Sequence, residues 1–257
     1  MNKRNLTSSY FIGDLEIGQT FNHGAVQITP LRNNEYINRF KDGFIISSNN
    51  ELSTHLDYTD PNLEEKKTKY GVNHTSLVSQ GLVFNVGFGL SVHDISFNVI
   101  ANLGYTNLVF YSPVFECDIL FSKSEVIGKE IKKYGANKGS VQVKTKVYNQ
   151  NGITIFEYIR EVLIRAKKGN TFIKSNSIKT FENLKISDLS LPKPNKNLSK
   201  SLLGDSGLTY EQFEIGKVYK GTFEKSLNLI DFTWLQTVSM IDSETHHQLD
   251  SNMIGYG

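Results

Sequence analysis

The chain has 257 residues, with 28 basic and 26 acidic side chains and a formal charge of +2, which allows one large or two medium domains with a real core. Nearly balanced and scattered charges lack the basic stripe of a duplex binder, so no nucleic-acid partner is expected. The single cysteine, Cys117, excludes an internal disulfide framework and a cysteine-rich metal site.

The N-terminal stretch MNKRNLTSSYF has basic residues with no apolar core behind them, so it does not read as a signal peptide, and a cytoplasmic protein is expected. Residues 9–21, SYFIGDLEIGQTF, turn at Gly18 and lead into a first strand. Thr29-Pro30 marks a helix start, a Thr cap followed by Pro at the first helical position. Glu35, Tyr36, Ile37 and Phe40 fit the short amphipathic helix that follows. From Ser47 to Asn62 the residues read as a loop, closed by KKTKYG at Lys66 to Gly71.

The chain is organised around residues 79–94, SQGLVFNVGFGLSVHD. From Leu82 to Val92 this run is apolar on nearly every side. It is shorter than the about 20 residues that a bilayer demands, so no membrane partner is expected, and it reads as a helix buried all round. Gly87 and Gly89 each cost such a helix about 1 kcal/mol against Ala. Close approach of a sheet or another backbone is the expected compensation.

Beyond the helix the period falls to two. Tyr105 to Phe110, Val114 to Glu125, Ser140 to Tyr148 and Ile153 to Arg165 read as strands, with Asn151-Gly152 as a two-residue hairpin turn. A bent antiparallel sheet wrapped around the buried helix is an α+β arrangement. Residues 168–207, with Pro192 and Pro194 in LPKPNKNLSKS, read as a linker between a first domain at 1–167 and a second unit at 208–257. The opening then returns: LEIGQTF at Leu15 to Phe21 is echoed by FEIGKVY at Phe213 to Tyr219. A duplicated domain is expected, with its second copy incomplete.

Two loops carry the same pair of residue types. Asn50 and His55 are five apart before the buried helix, and Asp242 and His247 are five apart in the second copy, with His246 alongside. An imidazole beside an amide or carboxylate suits proton transfer to and from carbon. A helix N-terminus offers backbone N–H groups to a developing enolate oxygen, here at Gly81, where the absent side chain permits close approach. The Lys66, Lys67 and Lys69 run reads as a solvated face. His74 and His93 are expected to cap or pack, and with no other His at ligand spacing no metal is expected.

HLDYTDPNLEEKKTKYG followed by VSQGLVF resembles the MaoC-like hydratase pattern: an Asp or Asn, a His five later, an acid two beyond, Thr-x-aromatic-Gly, then a Gly opening the central helix of a hotdog fold. HDISFNVIANLGYTNLVFYSPVFECDILFSKSEVIGKEI and NQNGITIFEYIREVLIRA resemble the mesaconyl-CoA (2-methylfumaryl-CoA) hydratases, also called β-methylmalyl-CoA dehydratases. The likeness covers residues 10–167 and, more weakly, 208–257. It implies a double hotdog with the second unit truncated. It also implies reversible addition of water to an α,β-unsaturated acyl-CoA, no cofactor beyond the coenzyme A of the substrate, and a homodimer or higher homo-oligomer. Carried over, His55 or His247 is the base, Asn50 or Asp242 its polar partner, and Gly81 the oxyanion donor. Asn50 stands where an Asp is usual and an amide cannot serve as a base, so the Asp242–His247 loop is the expected catalytic one. A hotdog thioesterase and a catalytically degenerate hotdog partner domain are the alternatives. The first commonly needs an acid on or near the central helix, which here has none before Asp94.

Overall fold

A computed structural model of the chain describes residues 10–40, 42, 45–131, 137–169, 175–182, 184–185, 187, 189, 208, 210–221 and 225–239. The elements in chain order are β1 (Thr20–Gln27), α1 (Pro30–Phe40), α2 (Ile45–Ser48), α3 (Asn50–His55), α4 (Leu63–Tyr70), α5 (Gln80–Ser91), β2 (Val99–Phe110), β3 (Ile119–Ile131), β4 (Lys138–Asn149), β5 (Thr154–Arg165), β6 (Ser175–Asn176) and α6 (Leu229–Ser239). Among the described residues the sheet has six strands in the order β1-β3-β4-β5-β2, with β6 beside the far end of β3. Every pairing is antiparallel.

The apolar run is helix α5. Ser79 caps it, its hydroxyl accepting from the Leu82 N–H. Leu82, Val83, Val86 and Leu90 pack into one core with Ile155, Phe156 and Tyr158 of the sheet. A second cluster, built on Val141, Val143, Val162 and Ile164, fills the other end of the concave face. The glycine expectation holds at Gly87, where a Cβ would stand 2.6 Å from Phe156 and 2.7 Å from Val147. Gly87→Ala is therefore expected to destabilise the fold by about 1–3 kcal/mol, overpacking outweighing the better helix propensity. Gly104, whose Cβ would meet nothing within 4 Å, is the control. Urea midpoints check this, and equal midpoints for the two variants would refute the close-approach reading.

Several elements differ from the sequence expectation. The polar stretch 47–62 is helical over much of its length, because Asn49 acts as a cap and its side chain accepts from the Leu52 N–H at 3.0 Å. KKTKYG is the end of helix α4, closed by Gly71 at φ +68°. Strand β2 begins at Val99 rather than near Tyr105, and irregular register against β5 breaks up its alternation. Val114 to Asp118 is not strand but a tight turn. Cys117 sits there at φ +68°, and Asp118 accepts from the Phe115 N–H at 2.9 Å. The β4–β5 connection is longer than a two-residue turn. Gly152 N–H bonds the Asn149 carbonyl and Asn149 N–H bonds the Ile153 carbonyl, with Gly152 at φ +76°. This is a type I turn closed by a left-handed glycine.

Part of 168–207 lies on the sheet. Strand β6 pairs with Glu130 and Ile131, and the Gln142 amide exchanges two 2.8 Å bonds with the Lys179 backbone. The repeated EIG segments adopt the same turn. The Gln19 N–H bonds the Glu16 carbonyl, and the Lys217 N–H bonds the Glu214 carbonyl. Gly18 lies at φ +87° and Gly216 at φ +84°, which a type II turn requires of its third residue. Helix α6 docks on α5 and α1. Val238 enters the α5 core, Trp234 packs 5.6 Å from Phe40, and Asp231 takes Lys225 at 3.0 Å and Arg39 at 3.2 Å. The Lys225 ammonium, donating to it, is the largest influence holding the Asp231 carboxyl below the usual carboxylate range.

Candidate functional site

The N-terminus of α5 is anchored by a polar web. Asn33, fully buried on α1, accepts from the Ser79 N–H at 3.1 Å and donates to Glu116 at 3.2 Å. The other Glu116 oxygen accepts from the Ser76 N–H at 3.0 Å. The Ser79 hydroxyl donates to Asp42. These groups fix the direction in which the first N–H groups of the helix point. Composition alone did not single out Asn33 or Glu116, because a buried amide and a buried carboxylate look like ordinary surface residues until their partners are known.

Gly81 lies in that first turn. The space left by its missing side chain is taken by Tyr36, whose hydroxyl would stand 2.6 Å from a Cβ there. Asn85 donates to the same hydroxyl at 3.3 Å. Burial pushes the Tyr36 phenol above its ordinary range, with the Asp42 charge adding to the effect, so it remains a neutral hydroxyl. Gly81 thus gives close approach, and Tyr36 is the group that uses it.

Asn50 and His55 are not on a loop. They are the first and last residues of α3, about 140° apart around the helix axis. Asn50 is half-buried, and its carbonyl accepts from Ser53 and Thr54; His55 is exposed. The helix therefore turns the pair toward different sides. Asp242, His246 and His247 lie outside the described residues.

No family model matches the chain. A mesaconyl-CoA hydratase of Cereibacter sphaeroides is 40% identical over 90 residues, which is 35% of this chain and 26% of that protein. A beta-methylmalyl-CoA dehydratase of Chloroflexus aurantiacus is 33% identical over 141 residues, covering 53% of this chain and 39% of that protein. The chain therefore matches well under half the length of either curated relative. Among solved structures, a MaoC domain protein dehydratase from Chloroflexus aurantiacus superposes with a TM-score of 0.81 at 25% identity, covering 97% of this chain and 67% of the other. The chain has the hotdog fold and is similar to MaoC-like dehydratases. A Mycobacterium tuberculosis protein with a double hotdog fold, at a TM-score of 0.58 and 18% identity, shares the architecture.

Within this hotdog, Lys66 is not on a solvated face. It is 3% exposed and lies 2.8 Å from both Asp60 and Asp118. Lys67, by contrast, pairs with Glu64 at the surface, and Lys69 rests on the Tyr70 ring. A second buried set joins Asp94, His23 and Ser124. His23 Nδ1 is 2.7 Å from Asp94, and its Nε2 is 2.7 Å from the Ser124 hydroxyl. The order matches a hydrolytic triad. However, Ser124 is 1% exposed and shares its hydroxyl with Thr145 at 2.8 Å. No carbonyl reaches it there, and the set ties β1, β3 and β4 to the segment following α5. No helix among the described residues is long and apolar enough to cross a membrane.

Proposed function

We propose that the protein carrying this chain is an acyl-CoA hydratase of the MaoC-like type, a hydro-lyase that reversibly adds water to 2-methylfumaryl-CoA to give β-methylmalyl-CoA. The observation that carries this is the agreement of the two curated relatives, one named as a hydratase and the other as a dehydratase. These are the two directions of one reaction. The hotdog superposition supports the same reading. A cytoplasmic location belongs to the same reading.

In this reaction the oxygen of water bonds to C3 while a base takes its proton. The double-bond electrons move toward the thioester carbonyl, and the resulting enolate takes a proton at C2. A His–Asp pair supplies the proton transfers, and backbone N–H groups at a helix N-terminus stabilise the enolate oxygen. We assign the proton work to His247 and Asp242. Two features of the first half support that choice: Asn50 is an amide, and Tyr36 fills the space at Gly81. Residues 208–257 are read as the opening of a second hotdog unit, supported by the matching Gly18 and Gly216 turns. Assembly into a homodimer or higher homo-oligomer belongs to the same reading.

The test is hydration by the protein in its natural reading frame, followed as loss of enoyl absorbance with 2-methylfumaryl-CoA and with crotonyl-CoA. Hydration of the first is expected. Release of free thiol with the double bond intact would establish a thioesterase and overturn the reading.

A further inference from the structure

Strand β5 directs Phe156, Tyr158, Arg160, Val162 and Ile164 toward the interior, with Phe156 and Tyr158 in one core cluster and Val162 and Ile164 in the other. Arg160 stands between the clusters, and its side chain is among the largest fully buried ones, 1% exposed. One terminal nitrogen, Nη2, donates to the Ser91 hydroxyl at 3.1 Å. The guanidinium lies over the Phe88 ring, 4.8 Å from its centroid. Its Nε is buried without an acceptor, and so is the Tyr158 hydroxyl two residues earlier. Among the described residues no carboxylate lies within ion-pair distance of Arg160.

A guanidinium taken out of water is costly unless an anion meets it. Its planar fork fits a carboxylate held by two parallel bonds. Tyr105, the register partner of Arg160, belongs to the outermost strand β2 and is 41% exposed. Phe84 and Phe88, both partly buried, pack against Tyr105. Arg160 therefore sits behind a short aromatic wall at the sheet edge. Its charge also acts on the Tyr105 phenol, opposing the rise that burial causes.

We propose that Arg160, with the Tyr158 hydroxyl, binds the free carboxylate of the acyl group and so selects dicarboxylic acyl-CoA thioesters over monocarboxylic ones. This rests on the hydratase reading for its substrate class. 2-Methylfumaryl-CoA carries a carboxylate at the end opposite its thioester, whereas crotonyl-CoA ends in a methyl group. A site that leaves a buried charge unpaired with the wrong substrate discriminates by that penalty.

The experiment uses the protein in its natural reading frame and two thioesters that cannot be hydrated, methylsuccinyl-CoA, with its free carboxylate, and butyryl-CoA. Calorimetry on the wild type is expected to show methylsuccinyl-CoA bound about 10²-fold tighter, in keeping with loss of a buried charge-assisted pair. Arg160→Gln should abolish that preference and leave butyryl-CoA within about threefold of wild type. Arg160→Lys keeps the charge without the fork and should retain a reduced preference; it carries the test if Arg160→Gln does not fold. Tyr158→Phe should lower the preference by about tenfold. Equal weakening of both thioesters, or no change in preference, would overturn the proposal and leave Arg160 a packing residue. The two readings fail separately. A wild type that hydrates no enoyl-CoA yet shows Arg160-dependent carboxylate preference removes the hydratase and keeps the site. Hydration with a preference indifferent to Arg160 does the reverse.

Discussion

His247→Ala, made in the protein in its natural reading frame, is expected to lower kcat for hydration of an enoyl-CoA by about 10²–10⁴, the range for removing a general acid–base group. Asp242→Asn should also be severe, since it removes the carboxylate and keeps the shape. His55→Ala should instead raise KM with little change in kcat, the signature of lost uniform binding. The first half motivates this asymmetry. Asn50 cannot take a proton, and α3 turns His55 out to solvent on a different side from Asn50. His246→Ala, which removes the neighbouring imidazole, is the control and is expected to leave kcat near the wild-type value. Steady-state kinetics on the four variants decide the matter. If His55→Ala abolishes kcat while His247→Ala leaves it intact, the active half is the first one, and the hydratase reading itself survives.

The features legible in the sequence are those with a strong period or a strong composition. The apolar run of α5 has no other stable fate than burial, and strands β4 and β5 alternate cleanly enough that their limits were readable to within a residue or two. What was not legible depends on partners. Asn49 and Ser79 are both small polar residues before a helix, but only Ser79 precedes an apolar run, so in sequence α3 reads as a loop. Nothing in KKTKYG distinguishes Lys66, which meets two carboxylates brought from either side of it, from Lys67, which meets solvent. The hairpin length is not legible because Asn151-Gly152 is equally compatible with a two-residue turn and with the end of a longer one. Arg160 did carry a signal. It occupies an inward position of an alternating strand, where a charge is out of place unless something answers it.

Lys66→Met is expected to destabilise the fold by about 3–5 kcal/mol, the cost of leaving buried charge uncompensated. The ammonium bridges Asp60 and Asp118, each 2.8 Å away, and all three side chains are only 3% exposed. Without it, two carboxylates face each other in a dry site. Each is also held in place by other bonds: Asp60 by Thr75 at 2.7 Å, and Asp118 by Gln150 at 2.8 Å and the Phe115 N–H at 2.9 Å. They cannot swing out to water without losing those bonds. The comparison variant is Lys67→Met, whose surface pair with Glu64 is worth about 0–1 kcal/mol. Neutralising both acids as well, in Lys66→Met/Asp60→Asn/Asp118→Asn, should restore much of the loss, because a buried ion set replaced as a whole is often nearly neutral. Urea unfolding with unchanged slope measures all three. Equal midpoints for the Lys66 and Lys67 variants would show that the triad contributes nothing. The triad matters beyond stability because Asp118 closes the turn that carries Glu116. Glu116 in turn holds Asn33 and the Ser76 N–H just ahead of α5. Loosening Lys66 should therefore loosen the orientation of the first N–H groups of the central helix.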